Sequence, residues 1–74
     1  MAKETVQSVE RAFQIIELMA KNETMGIREI HHETGLTVTV VHRIINTLAE
    51  LGYVKQEKET EKYFLTYRLL VMGN

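Results

Sequence analysis

Seventy-four residues with no cysteine leave room for one small domain and exclude disulfides and thiolate metal sites. Nine basic residues against ten acidic ones, a net charge of −1, give no bulk signal of nucleic acid. They do not forbid it, because what matters is how the basic groups are distributed over the surface. No apolar run approaches the roughly 20 residues of a membrane span. The N-terminus, MAKETVQSVE, lacks the apolar block of a signal peptide. A soluble, cytoplasmic protein with no membrane partner is therefore expected. All ten acidic residues are glutamate and proline is absent, which suits a mainly helical chain.

Ser8 is a candidate N-cap for a first helix from about Val9 to Lys21, in which Val9, Ala12, Phe13, Ile16, Met19 and Ala20 recur at helical spacing. Ile15 and Leu18 fall off that stripe. They either widen the apolar face around a small core or form a second face toward another subunit. After the polar connector Asn22-Glu23-Thr24, Met25-Gly26-Ile27 reads as a short extended piece. Gly26 can cap a second helix from Ile27 to Thr34, with Glu29 in the capping-box position. Ile27, Ile30, His31 and Thr34 share a face, and Gly35 ends the helix where a left-handed backbone is cheapest.

The stretch Thr37-Val38-Thr39-Val40-Val41 is β-branched throughout and alternates like a strand. The residues that follow decide against that reading. Val41, Ile44, Ile45, Leu48 and Leu51 lie within an arc of roughly 120° on a helical wheel, whereas a two-residue period would scatter them over both faces of a sheet. Thr37 can cap and Gly52 can close, so a third helix from about Val38 to Leu51 is predicted. Opposite its buried arc lie Thr39, Arg43, Asn46 and Glu50, with His42 and Thr47 flanking. Tyr53 to Glu57 and Lys62 to Thr66 are β-prone and flank the polar turn 58–61, which gives a hairpin. Apolar residues from Tyr67 to Met72 begin a further element.

This order, helix, helix, Gly turn, helix, hairpin, predicts a mainly α winged helix-turn-helix, three helices plus a wing, over residues 1–66. In such a fold the first helix and the hairpin buttress the third helix, whose free face fits a DNA major groove.

The segments SVERAFQIIELMA, GIREIHHETGL, VHRIINTLAELGYV and KYFLTYRLLVMG resemble the N-terminal DNA-binding domain of the isocitrate lyase regulator (IclR) family of bacterial transcription regulators, over the chain from Val6 to Gly73. The resemblance implies a homodimer on a palindromic double-stranded DNA operator, as a repressor that blocks polymerase or an activator that recruits it. It also implies that residues 67–74 start a linker helix to an effector-binding domain absent here, so that a small-molecule effector would act only through that domain. Pairing through the first helix and the linker would use Ile15, Leu18, Leu69, Leu70 and Met72. Two departures stand out. Thr37-Val38-Thr39-Val40 replaces the family's frequent Pro-Lys-Ser-Thr, and His31 stands where a small residue is usual.

Candidate DNA contacts follow. Arg43 can clamp a phosphate or take both acceptors of a guanine, and Thr39 can donate to a phosphate or base edge. Val38 and Val40, at the margins of the exposed face, either rim the core or touch thymine methyls. Thr37 and Asn46 belong to the same helix, and His42 can reach a phosphate or base. Arg28 at the start of the second helix, Lys58 and Lys62 on the wing, and Arg11 on the first helix complete the set. For Arg43 and His42 a solvated surface role is the competing account, for Thr39 a helix-stabilising hydroxyl, and for Arg11 a pair with a glutamate, while Glu57, Glu59 and Glu61 can pair with the wing lysines. His31-His32-Glu33 is not a metal motif, because neighbouring helical histidines diverge and no HExxH is present. No cofactor is implied. A glutamate-rich winged helix can also serve as a protein-interaction module. An enzyme is disfavoured by the lack of a phosphate loop, a paired nucleophile and base, or an acid pair.

Overall fold

The computed structural model describes residues 4–68, and the expected linker stretch with Leu69, Leu70 and Met72 lies outside them. Three helices, α1 (Gln7–Ala20), α2 (Ile27–Thr34) and α3 (Val38–Glu50), are followed by an antiparallel hairpin of β1 (Val54–Gln56) and β2 (Tyr63–Leu65). In the hairpin Val54 faces Leu65 and Gln56 faces Tyr63. Met25 adds one rung on the other edge of β2, exchanging backbone hydrogen bonds with Tyr63 at 2.9 and 2.8 Å. That bridge ties the connector between α1 and α2 to the wing.

The core is Ile15, Met19, Met25, Ile30, Val41, Ile45, Leu48 and Val54, with no polar side chain buried among the described residues. Four of the five elements and the connector contribute to it, and Tyr63 and Leu65 of β2 pack against it half-buried, so each is held by the same apolar contacts. Such burial, at about 25 cal/mol per Å² of apolar surface, is the main force available to a domain of this size.

Helix α1 departs from the sequence expectation in two ways. It starts earlier, with Val6 at the N-cap and no side-chain cap, so Ser8 lies inside the first turn. The Val6 carbonyl accepts from the N–H groups of Val9 and Glu10, both at 3.1 Å. A serine so near a helix start costs little either as cap or as first-turn residue, and residues 4–10 are all exposed, so no packing holds the boundary at Ser8. The second departure is larger. Ile15 is fully buried, whereas Val9 and Phe13 are 52% and 56% exposed and Ala20 is exposed. The buried face is thus rotated by roughly 80°, at 100° per residue, from the predicted stripe. Helix α1 carries more apolar residues than the core can cover, and a wheel cannot tell which subset is turned inward. Ile15 therefore has no surface to offer a second subunit, which corrects that expectation. Leu18 is half-buried against the core.

The turn between α2 and α3 follows its local chemistry closely. Gly35 takes φ 77°, a left-handed conformation that glycine adopts without a Cβ penalty, and its N–H donates to the His31 carbonyl at 2.9 Å. The Thr34 hydroxyl donates to Ile30 O at 2.7 Å and accepts from Leu36 N–H at 3.2 Å. His31, half-buried, donates from Nδ1 to the Leu36 carbonyl. The imidazole thus links α2 to the turn.

Helix α3 begins at Val38, with the Thr37 side chain accepting from Val40 N–H at 3.2 Å. Thr37→Ala is expected to destabilise the domain by about 1 kcal/mol, the usual cost of losing such a cap; urea unfolding followed by circular dichroism measures it. The β-branched first turn is helical because Val41 and Ile45 must both reach the core, and tertiary burial outweighs a weak local propensity. Leu51, predicted in the buried arc, is 57% exposed at the C-cap. Beyond it Gly52, at φ 90°, turns the chain into β1.

Candidate nucleic-acid interface

Helix α3 presents Thr39, Arg43, Asn46 and Glu50 to solvent, with His42 and Thr47 exposed beside them. Val38 and Val40 are half-buried at the margin. Thr47 spends its hydroxyl on the Arg43 carbonyl at 2.9 Å, and Thr37 spends its oxygen on the cap. Arg43 forms no ion pair among the described residues, so its guanidinium keeps its donor fork for a partner. The helix is held on its opposite side by Val41, Ile45 and Leu48. A rigid rod with one wet face is the outcome.

Two grooves flank that rod. The first runs between α1 and α3, lined by Ser8, Arg11 and Phe13 from one helix and Arg43, Thr47 and Leu51 from the other side. It brings the Arg11 and Arg43 candidates to one place. Ser8, expected as a cap, is instead part of this wall. The second groove lies among the start of α2, the wing and α3, and gathers Arg28, His42 and Lys62 from three elements. Lys58 stands at the exposed wing tip, apart from both.

Lys62 is not paired within its own hairpin. Its Nζ lies 3.5 Å from Glu29 Oε1 on α2, the only ion pair among the described residues. The same oxygen accepts the Gly26 N–H at 2.7 Å. That backbone bond holds the Glu29 carboxyl below the ordinary carboxylate range; loss of solvation opposes it, and the Lys62 charge adds a lesser lowering effect. The stability that follows is fully present above the ordinary value and is lost as pH falls through the lowered one. Sequence reading identified Glu29 only as a cap, since no local pattern connects it to the wing. At the wing, Glu57 accepts from the Thr60 hydroxyl at 2.7 Å, Gln56 donates to the Glu61 carbonyl at 2.9 Å, and Glu61 adopts φ 63°. No group of three or more metal-ligating side chains is assembled among the described residues. No helix among them is long and apolar enough to cross a membrane.

The sequence pattern of the IclR helix-turn-helix domain matches residues 8–58, more than half of the chain. The chain belongs to the IclR family. Among its relatives, the HTH-type transcriptional regulator KdgR of Escherichia coli (strain K12) is 36% identical over 70 residues, covering 95% of this chain and 27% of that protein. The HTH-type transcriptional regulator XynR of the same organism is 37% identical over 70 residues, covering 93% and 28%. The crystal structure of an IclR family transcriptional regulator from Brucella abortus superposes with a TM-score of 0.88 at 29% identity, over 99% of this chain and 29% of that one. This chain spans about a quarter of the length of these IclR relatives. The winged helix-turn-helix expected from the sequence is the fold observed, and the matched relatives are transcription regulators.

Proposed function

We propose that this IclR-type DNA-binding domain reads a palindromic double-stranded operator as a homodimer, with α3 in the major groove and the wing on the adjacent backbone. The observation that carries the reading is the uncovered face of α3, where Thr39, Arg43 and Asn46 stand exposed on a helix fixed from behind. Arg43 takes a guanine edge or a phosphate, and Asn46 suits an adenine. Thr39, Thr37 and His42 supply further polar contacts. Arg28, Lys58 and Arg11 serve the backbone, which positions a protein without reading sequence. Two half-sites would lie about 34 Å apart or a multiple of it. For pairing, exposed Val9 and Phe13 on α1 replace Ile15 as the apolar surface available, beside Leu18 and the stretch with Leu69, Leu70 and Met72. Effector control is assigned to the part of such regulators that this chain does not span. A protein-interaction module has the glutamate-rich composition and the turn without a basic residue, Thr37-Val38-Thr39-Val40, in its favour.

Gel shifts against genomic fragments at low and moderate salt test the reading. Retarded bands that survive non-specific competitor are expected, and no shift at either salt overturns it. Once a site is in hand, replacing half-site thymines with uracil is expected to weaken binding if Val38 and Val40 touch the methyls. Unchanged affinity would return both valines to a purely structural role.

A further inference from the structure

We propose that Glu29 is a built-in competitor for the DNA backbone, holding Lys62 away from phosphate and so limiting the affinity and salt dependence of the domain. The inference rests on the DNA-binding reading above and adds a residue that lowers binding.

The carboxylate end of the pair is held in place, and both side chains are about half exposed. The Glu29 carboxylate is anchored by the Gly26 N–H at 2.7 Å. The Lys62 stem passes over the same glycine, where a Cβ would lie 3.9 Å from Lys62 Cγ and 3.6 Å from Glu29 Oε1. The ammonium, 3.5 Å from Glu29, therefore faces a fixed negative partner. The cleft around it also holds Arg28 and His42, and through His42 it opens beside the exposed face of α3. A phosphate seated there would meet donors from three elements. A lysine that stays on its carboxylate neutralises no phosphate and displaces no counterion from the DNA, so it adds nothing to the salt slope. Glu61 lines the same cleft but forms no ion pair among the described residues.

Glu29→Gln isolates the effect. Glutamine keeps an acceptor for the Gly26 N–H, as either residue does in this capping position, and loses only the charge. The probe is a random-sequence duplex of about 30 base pairs, because backbone contacts and the salt slope do not depend on sequence. Glu29→Gln is expected to tighten binding roughly 3- to 10-fold at low salt and to steepen the slope of log K against log salt by about 1. Adding Lys62→Gln should remove both gains. Glu59→Gln, which removes the same charge from the exposed wing tip without touching Lys62, should change affinity by less than about twofold. Wild-type affinity and slope for Glu29→Gln, an equal gain from Glu59→Gln, or a gain that persists in the double variant would each overturn the inference while leaving DNA binding intact. No binding by the wild-type chain would overturn both. If circular dichroism shows Glu29→Gln unfolded, Lys62→Gln alone decides. A lysine held by Glu29 is lost at little cost in affinity, and a clear loss with a shallower slope contradicts the proposal.

Discussion

Ile45→Ala is expected to destabilise the domain by about 2–5 kcal/mol, the range for truncating a buried isoleucine whose cavity cannot collapse. Ile45 is fully buried in α3, in the same cluster as Ile15, Ile30, Val41 and Val54. A folded domain has only about 5–15 kcal/mol of net stability, and a core this small places it toward the low end. Most of the cooperative transition should therefore shift to low denaturant, measured by urea unfolding with circular dichroism. Phe13→Ala is the matching control. Phenylalanine is the larger side chain, yet Phe13 is 56% exposed in α1, so its loss should cost far less in dilute solution. Equal costs would mean that α1 is turned the other way, with its predicted stripe inward.

Arg43→Ala should weaken operator binding by about 1–3 kcal/mol per half-site if the guanidinium takes a base edge, which is roughly 5- to 150-fold. Stability should not change, because Arg43 is exposed and unpaired among the described residues. The pattern of loss separates two roles. A base contact relaxes specificity at one operator position, whereas a phosphate contact weakens all sequences alike and lowers the salt slope by about 1. Arg43→Lys sharpens the distinction, since an ammonium keeps the charge but lacks the planar fork that matches guanine. Wild-type affinity in Arg43→Ala would remove this residue from the interface and move attention to the Arg11 side of the α1–α3 groove.

The elements were largely legible because their signals are local. Gly35 and Gly52 mark left-handed turns and occupy them. Thr37 caps, Glu29 bonds back to Gly26, and the wheel over Val41, Ile45 and Leu48 overrode the strand-like run before them. The candidate DNA face was legible for the same reason, since it is the complement of a buried arc. Where two elements had to be placed against each other, the reading failed. Ile15 and Phe13 exchanged roles, Leu51 stayed in water, and Lys62 found its partner on α2 rather than within the wing.

By itself, then, the sequence determined the helices, the turns between them, the hairpin and the polar face of α3. Hydrogen bonds within a few residues and the φ angles that glycine permits are written into short stretches of chain. Only the tertiary structure decided which of the surplus apolar residues on α1 is buried, and which carboxylate meets the wing lysine. Those outcomes come from all elements competing for one small interior, and no segment carries that information alone.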